Sequence, residues 1–273
     1  MQTSTDRDAY RAAEEKLEAL APATAPDRLS GIADDVLAVA ELLDREPRLR
    51  RALADGARDG QERAELLRGL LAGKVSDEAV DLAAALATGR WSSPTQLLGG
   101  VERLGVAVLL SAANRADELG EVEDELFRFN QVVDGSPQLA SVLSDPTTPP
   151  ERRGKLVSDL LDGKARPVTV RLVRLALAGF GGRGFSASLT RLVELAAAGR
   201  DRQVAYVTAA ALLTDDEERR LGERLEQMYG RRVSVRVRVD PTVIGGLSVR
   251  VGSDLYDGTV LRRLSEARGA MGK

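Results

Sequence analysis

The chain has neither a cysteine nor a histidine among its 273 residues. It can therefore build no disulfide framework, no thiol nucleophile and no imidazole for acid–base or metal work. Most hydrolase triads and most zinc sites fall away with those two residue types. Carboxylates, lysine, tyrosine, serine and threonine remain, so these absences alone do not remove every enzyme. Aromatic residues make up only 3% of the chain and tryptophan occurs once, at position 91. A core must then be assembled from Leu, Val and Ala, which suits helices packed closely on helices. Neither sign of charge dominates: 39 basic against 42 acidic residues leave a net charge of −3. The charges are mixed along the chain, so there is no electrostatic case for nucleic acid or an anionic membrane surface. No run approaches the ~18–20 apolar residues of a membrane helix. Met1–Leu20 carries Asp6, Asp8, Glu14, Glu15 and Glu18 and no apolar stretch, unlike a secretory or transit peptide. A cytosolic protein is expected, associating with a membrane only through a partner. The P-loop sequence G-x-x-x-x-G-K-[ST] is also missing, so an ATP site of that kind is absent.

What is present is hydrophobic content of 43% in a chain long enough for two or more domains. Most of it has helical spacing. Leu17 and Leu20 mark a first helix, ended by Pro22 and Pro26, and Ile32, Val36, Val39 and Leu43 mark a second. Pro47 opens a third at the first-turn position, with Leu49 and Leu53 inward. Gln61–Leu71 follows and closes at Gly73, and Ser76 is placed to N-cap a helix through Leu86.

Ninety residues later the same text returns. Asp44, Pro47, Leu49, Leu53 and Asp55 reappear as Asp134, Pro137, Leu139, Leu143 and Asp145. Arg63, Leu66, Leu70, Leu71, Gly73 and Lys74 reappear as Arg153, Leu156, Leu160, Leu161, Gly163 and Lys164. Roughly 14 identities over about 49 ungapped positions exceed what shared helical periodicity supplies. We read a tandem duplication of one helical bundle. Copy two ends with a helix over 185–199. The corresponding segment of copy one runs from Trp91 through Ser93, an N-cap, and Pro94 into Leu97–Ala113, which is also where copy two needs its opening helix. One helix is expected to serve both bundles and make them a single rigid body.

The last seventy residues read differently. Val233, Val235, Val237 and Val239 alternate with Arg232, Arg236 and Arg238, and Leu247, Val249 and Val251 repeat the alternation, which predicts two strands with one buried face. Asp240-Pro241 and Gly245-Gly246 punctuate them. Before them lie a strand at Val204–Thr208 and a helix opened by Thr214-Asp215-Asp216-Glu217, a capping-box pattern, with Leu221, Leu225 and Met228 on one face and Gly230 at its end. After them, Asp257-Gly258-Thr259 precedes a helix over Val260–Arg268. The fold class is therefore α + (α/β), mostly α: tandem helical bundles at 1–96 and 97–200, then a small αβ domain at 201–273 of order strand-helix-strand-strand-helix.

That order, with the Ile244-Gly245-Gly246-Leu247 run, the Arg250-Val251-Gly252 after it and Asp257-Gly258-Thr259, resembles the C-terminal domain of the delta subunits of F-type ATP synthases, the family of the mitochondrial oligomycin-sensitivity-conferring protein. The family more often has Ser at the place of Thr259. Residues 97–273 match an ordinary bacterial delta subunit in length and element order, and 1–96 are an extra copy. The resemblance implies a non-catalytic stator subunit at the cytoplasmic face of the bacterial cell membrane, tying the catalytic head to the b subunit of the peripheral stalk. Its implied partners are the alpha subunits of the head, with the beta subunits as further candidates, and the b subunit; no nucleic acid, cofactor, metal or direct membrane insertion is implied. In the family a helix of an alpha subunit lies in a groove of the helical domain. The walls expected here are Leu97–Ala113 and Val168–Ala178, with Leu97, Val101, Leu104, Val108, Leu172 and Leu175 as contact candidates. Gly245, Gly246, Asp257 and Gly258 are family-motif residues with structural roles: a strand start or bulge of unusual φ and a turn before the last helix.

Other features have plainer readings. Gly179-Phe180-Gly181-Gly182-Arg183-Gly184 matches the dinucleotide fingerprint letter for letter, but follows a helical segment where a strand is needed, so a helix–helix loop is expected. Arg231, Arg232, Arg236 and Arg238 lack the interleaved aromatics of a nucleic-acid reader and suit a solvated strand that resists edge pairing. Asp34, Asp35, Asp215 and Asp216 sit at helix starts or on exposed faces. Trp91 packs where the bundles join. The alternative to the stator is a free-standing helical adaptor or regulatory binding protein; an enzyme ranks last.

Overall fold

A computed structural model describes residues 4–199, 202–230, 232–240, 243–251 and 254–258. The chain forms two compact units, divided between Leu192 and Val193. The first is entirely helical. Its first copy comprises α1 (Ser4–Leu20), α2 (Pro26–Arg45), α3 (Pro47–Leu53), α4 (Gly60–Leu71) and α5 (Asp77–Thr88). Then come α6 (Pro94–Arg115), α7 (Leu119–Asp134), α8 (Pro137–Ser144), α9 (Pro150–Leu161), α10 (Pro167–Ala178) and α11 (Phe185–Ala198), the last of which crosses the division. Prolines open α2, α3, α6, α8, α9 and α10, where a missing N–H costs nothing.

The duplication is visible in backbone detail. Gly73 and Gly163 both take left-handed φ, 68° and 62°. The amides that follow donate to equivalent carbonyls, Lys74 to Leu71 at 2.9 Å and Lys164 to Leu161 at 3.0 Å. Helix starts are matched too, though not as the sequence suggests. Ser76 occupies the N-cap position of α5, yet its hydroxyl does not bond an amide of its own helix. Asp35 on α2 does that work from across the bundle, accepting from the Ser76 amide at 2.8 Å and its hydroxyl at 2.6 Å. Ninety residues on, Glu125 on α7 accepts from the Arg166 amide at 2.9 Å and the Thr169 hydroxyl at 2.5 Å. In both copies a carboxylate from the second helix neutralises the positive end of the fifth. Asp34 and Asp35 thus lie within α2 rather than at a helix start, and Asp34 pairs with Arg171 of α10, joining one copy to the other.

The joint is α6. It packs against α1, α2, α3 and α5 on one side and α7 and α10 on the other. One helix does serve both bundles, and both copies lie in the first unit as far as Leu192, within α11. Close packing along it is bought with glycine. A Cβ on Gly105 would fall 2.6 Å from the Leu37 side chain of α2, and one on Gly100 would fall 2.3 Å from the Trp91 ring. Trp91 is buried beside that gap, its indole N–H donating to the Leu86 carbonyl at 2.8 Å, so the tryptophan does sit at the bundle junction. At 22 residues α6 is long and apolar enough to cross a membrane by composition, contrary to the expectation that no run approaches that length. Most of it is buried inside the helical unit, which accounts for its character as a core helix.

The second unit carries β1 (Arg202–Ala209), α12 (Asp215–Tyr229), β2 (Arg232–Val239), β3 (Leu247–Val251) and β4 (Asp254–Asp257). The sheet order is β2-β1-β3-β4, with β2 parallel to β1 and the other pairs antiparallel. Because β1 and β2 are parallel, a crossover is required, and α12 supplies it. Register brings like faces together: Ala205 lies between Val235 and Val251, and Val207 between Val237 and Val249. These residues, with Val233 and Leu225, make the core against α12. The capping box at Thr214 and Glu217 forms as expected, and Gly230 ends α12 in the left-handed conformation. Met228 departs from expectation: it is exposed, and only Leu225 of the predicted stripe is fully buried. Val239, the last of the alternating valines, is also exposed, at the end of β2.

Candidate functional site

The residues expected to line a partner groove on α6 and α10 come from the helical face that their spacing predicts, but that face points inward. Leu97, Val101, Leu104, Val108 and Leu172 are at most 1% exposed. Leu175 alone is part-exposed. The physical reason is the shared role of α6: flanked by six helices of one copy or the other, it leaves no open apolar stripe for a further helix. Five of the six residues therefore stand in the core of the helical unit.

The Gly179–Gly184 segment is a helix–helix loop. Gly179 caps α10 in the left-handed region (φ 90°), residues 180–182 make one 3-10 turn, and α11 begins at Phe185. A helix rather than a strand precedes it. The Gly181 amide donates to Glu102 of α6 at 2.9 Å. Burial pushes the Glu102 carboxyl above the ordinary carboxylate value, and the Gly181 bond opposes that only in part. The loop's amide is thus already satisfied by an internal carboxylate.

In the second unit, Gly245 and Gly246 have φ of 110° and 80° just before β3, in the region that favours glycine. The Ala210 amide reaches the Gly246 carbonyl at 3.4 Å. Asp257 is not in a turn: it is the last residue of β4, opposite Ser248, a strand that the sequence reading missed. Gly258 follows it, donating to the Leu247 carbonyl at 3.0 Å, and a Cβ there would lie 3.1 Å from that oxygen. Close backbone approach explains glycine at 258. The expected helix from Val260 and the side chains of Arg232 and Arg236 lie outside the described residues. β2 is an edge strand of the described sheet and Arg238 on it is exposed. Among the described residues no group of three or more carboxylates is placed to hold a metal ion.

Three polar devices escaped sequence reasoning. Asp6, fully buried on α1, accepts from the Ser92 amide and hydroxyl, both at 2.9 Å, tying α1 to the junction before α6. The paired carboxylates Asp35 and Glu125 are the second. The third is the duplicated arginine. Arg63, 2% exposed, donates to five carbonyls: Ala87 at 2.9 Å, Asp55 at 2.7 Å, Arg58 at 2.9 Å, Thr88 at 3.2 Å and Gly89 at 2.8 Å. It closes the C-terminal end of α5, where unpaired carbonyls carry partial negative charge. Arg153 reaches only Leu143 at 3.2 Å and Leu177 at 3.5 Å, and its buried Nε has no partner. The identity of the two arginines across the repeat was the available signal.

Comparison with known proteins agrees with the architecture. Residues 106–271 match the family ATP synthase delta (OSCP) subunit. A protein of Salinispora arenicola named ATP synthase subunit delta is 62% identical over 100% of both chains, and one of Salinispora tropica with the same name is 59% identical over the same span. A third, from Streptomyces griseus, is 43% identical over 98% of each. The relatives share the full length, the extra copy included, and the family match begins inside α6, where the second copy starts. The chain belongs to the ATP synthase delta (OSCP) subunit family, whose members are non-catalytic subunits of that complex.

Proposed function

We propose that this chain is the stator subunit that links the catalytic head of an F-type ATP synthase to the b subunit of its peripheral stalk. The observation that carries the reading is the 62% identity over the whole of both chains with a protein named ATP synthase subunit delta. The geometry suits the task. Rotation of the central stalk exerts torque on the head, and a stator must transmit the reaction without yielding. A helix common to two bundles, locked by Asp34–Arg171 and by glycine contacts, gives one stiff body in place of two modules on a linker. Close-packed interiors have low compressibility and carry strain.

The alpha subunits, with the beta subunits beside them, are the proposed head partners, and the cytoplasmic face of the cell membrane the proposed location. Leu175 is the one groove candidate open to a partner; Leu97, Val101, Leu104, Val108 and Leu172 act by holding the walls. Residues 1–96 and 97–200 are proposed as the two repeat copies, sharing one core, and 201–273 as the αβ domain. The free-standing adaptor reading predicts no binding to the head. Titration of the full chain onto delta-free catalytic head, read by co-sedimentation, separates the two. Saturation at one chain per head is expected. Absence of association at micromolar concentrations, with alpha subunits intact, would refute the stator reading.

A further inference from the structure

Both copies fasten the loop after their fifth helix with a carboxylate from their opening helix, and the two fastenings differ in kind. In the first copy, Asp6 of α1 is fully buried and accepts from both the amide and the hydroxyl of Ser92 at 2.9 Å. No residue from Gly89 to Ser93 has a positive φ there. In the second copy, Glu102 of α6 is half-buried, and its one hydrogen bond among the described residues is from the Gly181 amide at 2.9 Å. The loop that it fastens holds Gly179, Gly181 and Gly182 at φ of 90°, 66° and 68°. Glycine loses more conformational freedom on ordering than any other residue, so contacts must keep this loop closed. Besides Glu102 these are the buried Phe180 ring, a bond from the Gly182 amide to the Gly179 carbonyl at 2.8 Å, and the Ser188 hydroxyl. That hydroxyl lies 3.2 Å from both the Phe180 and the Arg183 carbonyls and shares one proton between them.

We propose that the Gly179–Gly184 loop is a proton-operated latch between the shared helix and the start of α11, drawn shut when Glu102 is protonated and loosened when it ionises. The charges around Glu102 set the direction. Among the described residues it has no ion pair. Arg103 beside it turns to α1, its guanidinium 4.0 Å over the Tyr10 ring and 3.9 Å from Glu14. Arg183 in the loop donates to the Gly181 carbonyl at 3.3 Å and is the weakest influence on the carboxyl. Asp44 on α2, 3.5 Å from Arg50 of α3, repels a second negative charge. Burial first, and then Asp44, therefore raise the proton affinity of Glu102, and the Gly181 amide and Arg183 offset that only in part. With the loop released the carboxylate faces water and returns to its ordinary 4.5. The closed form thus binds the proton more tightly, so protonation favours closure and ionisation favours release. The inference goes beyond the stator reading and does not rest on it.

The test is a magnetic-resonance titration of the isotope-labelled full chain from acid to neutral pH, with amide hydrogen exchange measured along it. The Glu102 side-chain carboxyl carbon gives the midpoint, expected above 4.5. Protection of the Gly181 amide, corrected for its intrinsic exchange rate, is expected to fall as pH rises from 4.5 through that midpoint and then to level off. The fold-change equals the acid constant of the released carboxyl divided by that of the closed one. Glu102→Gln, which keeps the shape and the acceptor, holds Gly181 at its low-pH protection throughout and leaves the Ser92 amide unchanged. Asp44→Asn moves the midpoint down and narrows the fall in protection with it. Protection of Gly181 that rises with pH, a midpoint at or below 4.5, or the same pH profile in Glu102→Gln overturns the inference.

Discussion

Replacing the two equivalent arginines one at a time tests whether the repeat has diverged as described. Arg63→Ala deletes five hydrogen bonds from a charged donor and strands carbonyls at the end of α5 and in the loop before α4. Bonds to charged groups contribute ~1.5–3 kcal/mol each at best, and water entering the space left behind recovers part of the loss. Relief from burying a guanidinium without a counter-charge offsets a further part. A net loss of about 4 kcal/mol is the working figure. In a helical unit of this size that lowers the melting temperature by about 10 °C. Arg153→Ala removes two bonds at the long end of the range and an orphaned Nε, so its cost is below about 1 kcal/mol. Urea unfolding followed by circular dichroism gives both numbers, and Trp91 emission, local to the end of α5, reports the first copy separately. Equal losses for the two variants would refute the argument, since residue identity would then outweigh the difference in hydrogen bonding.

Further expectations follow from other contacts. Gly100→Val drives a side chain into the Trp91 ring, so a loss of ~1–3 kcal/mol and a red-shifted emission are expected, readable in one fluorescence melt. Asp35→Ala uncaps α5 and Glu125→Ala uncaps α10, each costing ~1–2 kcal/mol; a neutral result in chemical denaturation for both would remove the trans-cap explanation. Glu102 is held above its ordinary 4.5 by burial, so the folded state binds the extra proton and stability falls as pH rises from 4.5 through the raised value. Glu102→Gln, which keeps an acceptor for Gly181, should therefore gain stability at pH 7 relative to pH 4. Glu217 is shifted the opposite way, downward, by the Thr214 amide and then its hydroxyl. Its contribution is present above 4.5 and lost as pH falls through the lowered value, so the pH-dependent loss of α12 helicity should flatten in Glu217→Gln.

Periodicity made the helices legible because Leu and Val recur at three and four residues where a core lies on one side only. It could not separate a groove wall from a core wall: Val101 and Val108 have the spacing of either, and only the presence of α2 on the same face decides. The strands of the second unit were readable where valine alternates, as in β2, and not where polar residues intervene, as in Asp254–Asp257. Long-range polar partners were invisible for a related reason. Asp35 and Ser76 are 41 residues apart, and each alone has an ordinary local role, as surface acid and as N-cap. Only the repeat offered a clue, since Asp35 recurs as an acid, Glu125. Arg63 and Arg153 show the limit of that clue, because identical residues stand in different surroundings, one bonded to five carbonyls and the other to two.

The shared helix also determines how the extra copy should be probed. Removing residues 1–93 leaves every residue of the family's ordinary length, yet it strips α1, α2, α3 and α5 from α6. Gly105 packs on Leu37, and Val101, Val108, Leu109 and Ala112 lie on the same helical face by their spacing. Three of these are large aliphatics buried within 1%, and exposing each costs ~1.5–3 kcal/mol. The sum, roughly 5–9 kcal/mol, is comparable with the whole stability of a typical domain, ~5–15 kcal/mol. The truncated chain is expected to lose its sharp thermal transition in the helical unit and to bind a hydrophobic dye, so failure to bind the catalytic head would report misfolding and not the loss of a contact. A monomeric fragment 94–273 that melts cooperatively at the full chain's temperature would show that α6 does not depend on the first copy. If it does depend on it, the two copies have become one folding unit, and contacts with the head must be mapped by surface substitutions in the full chain.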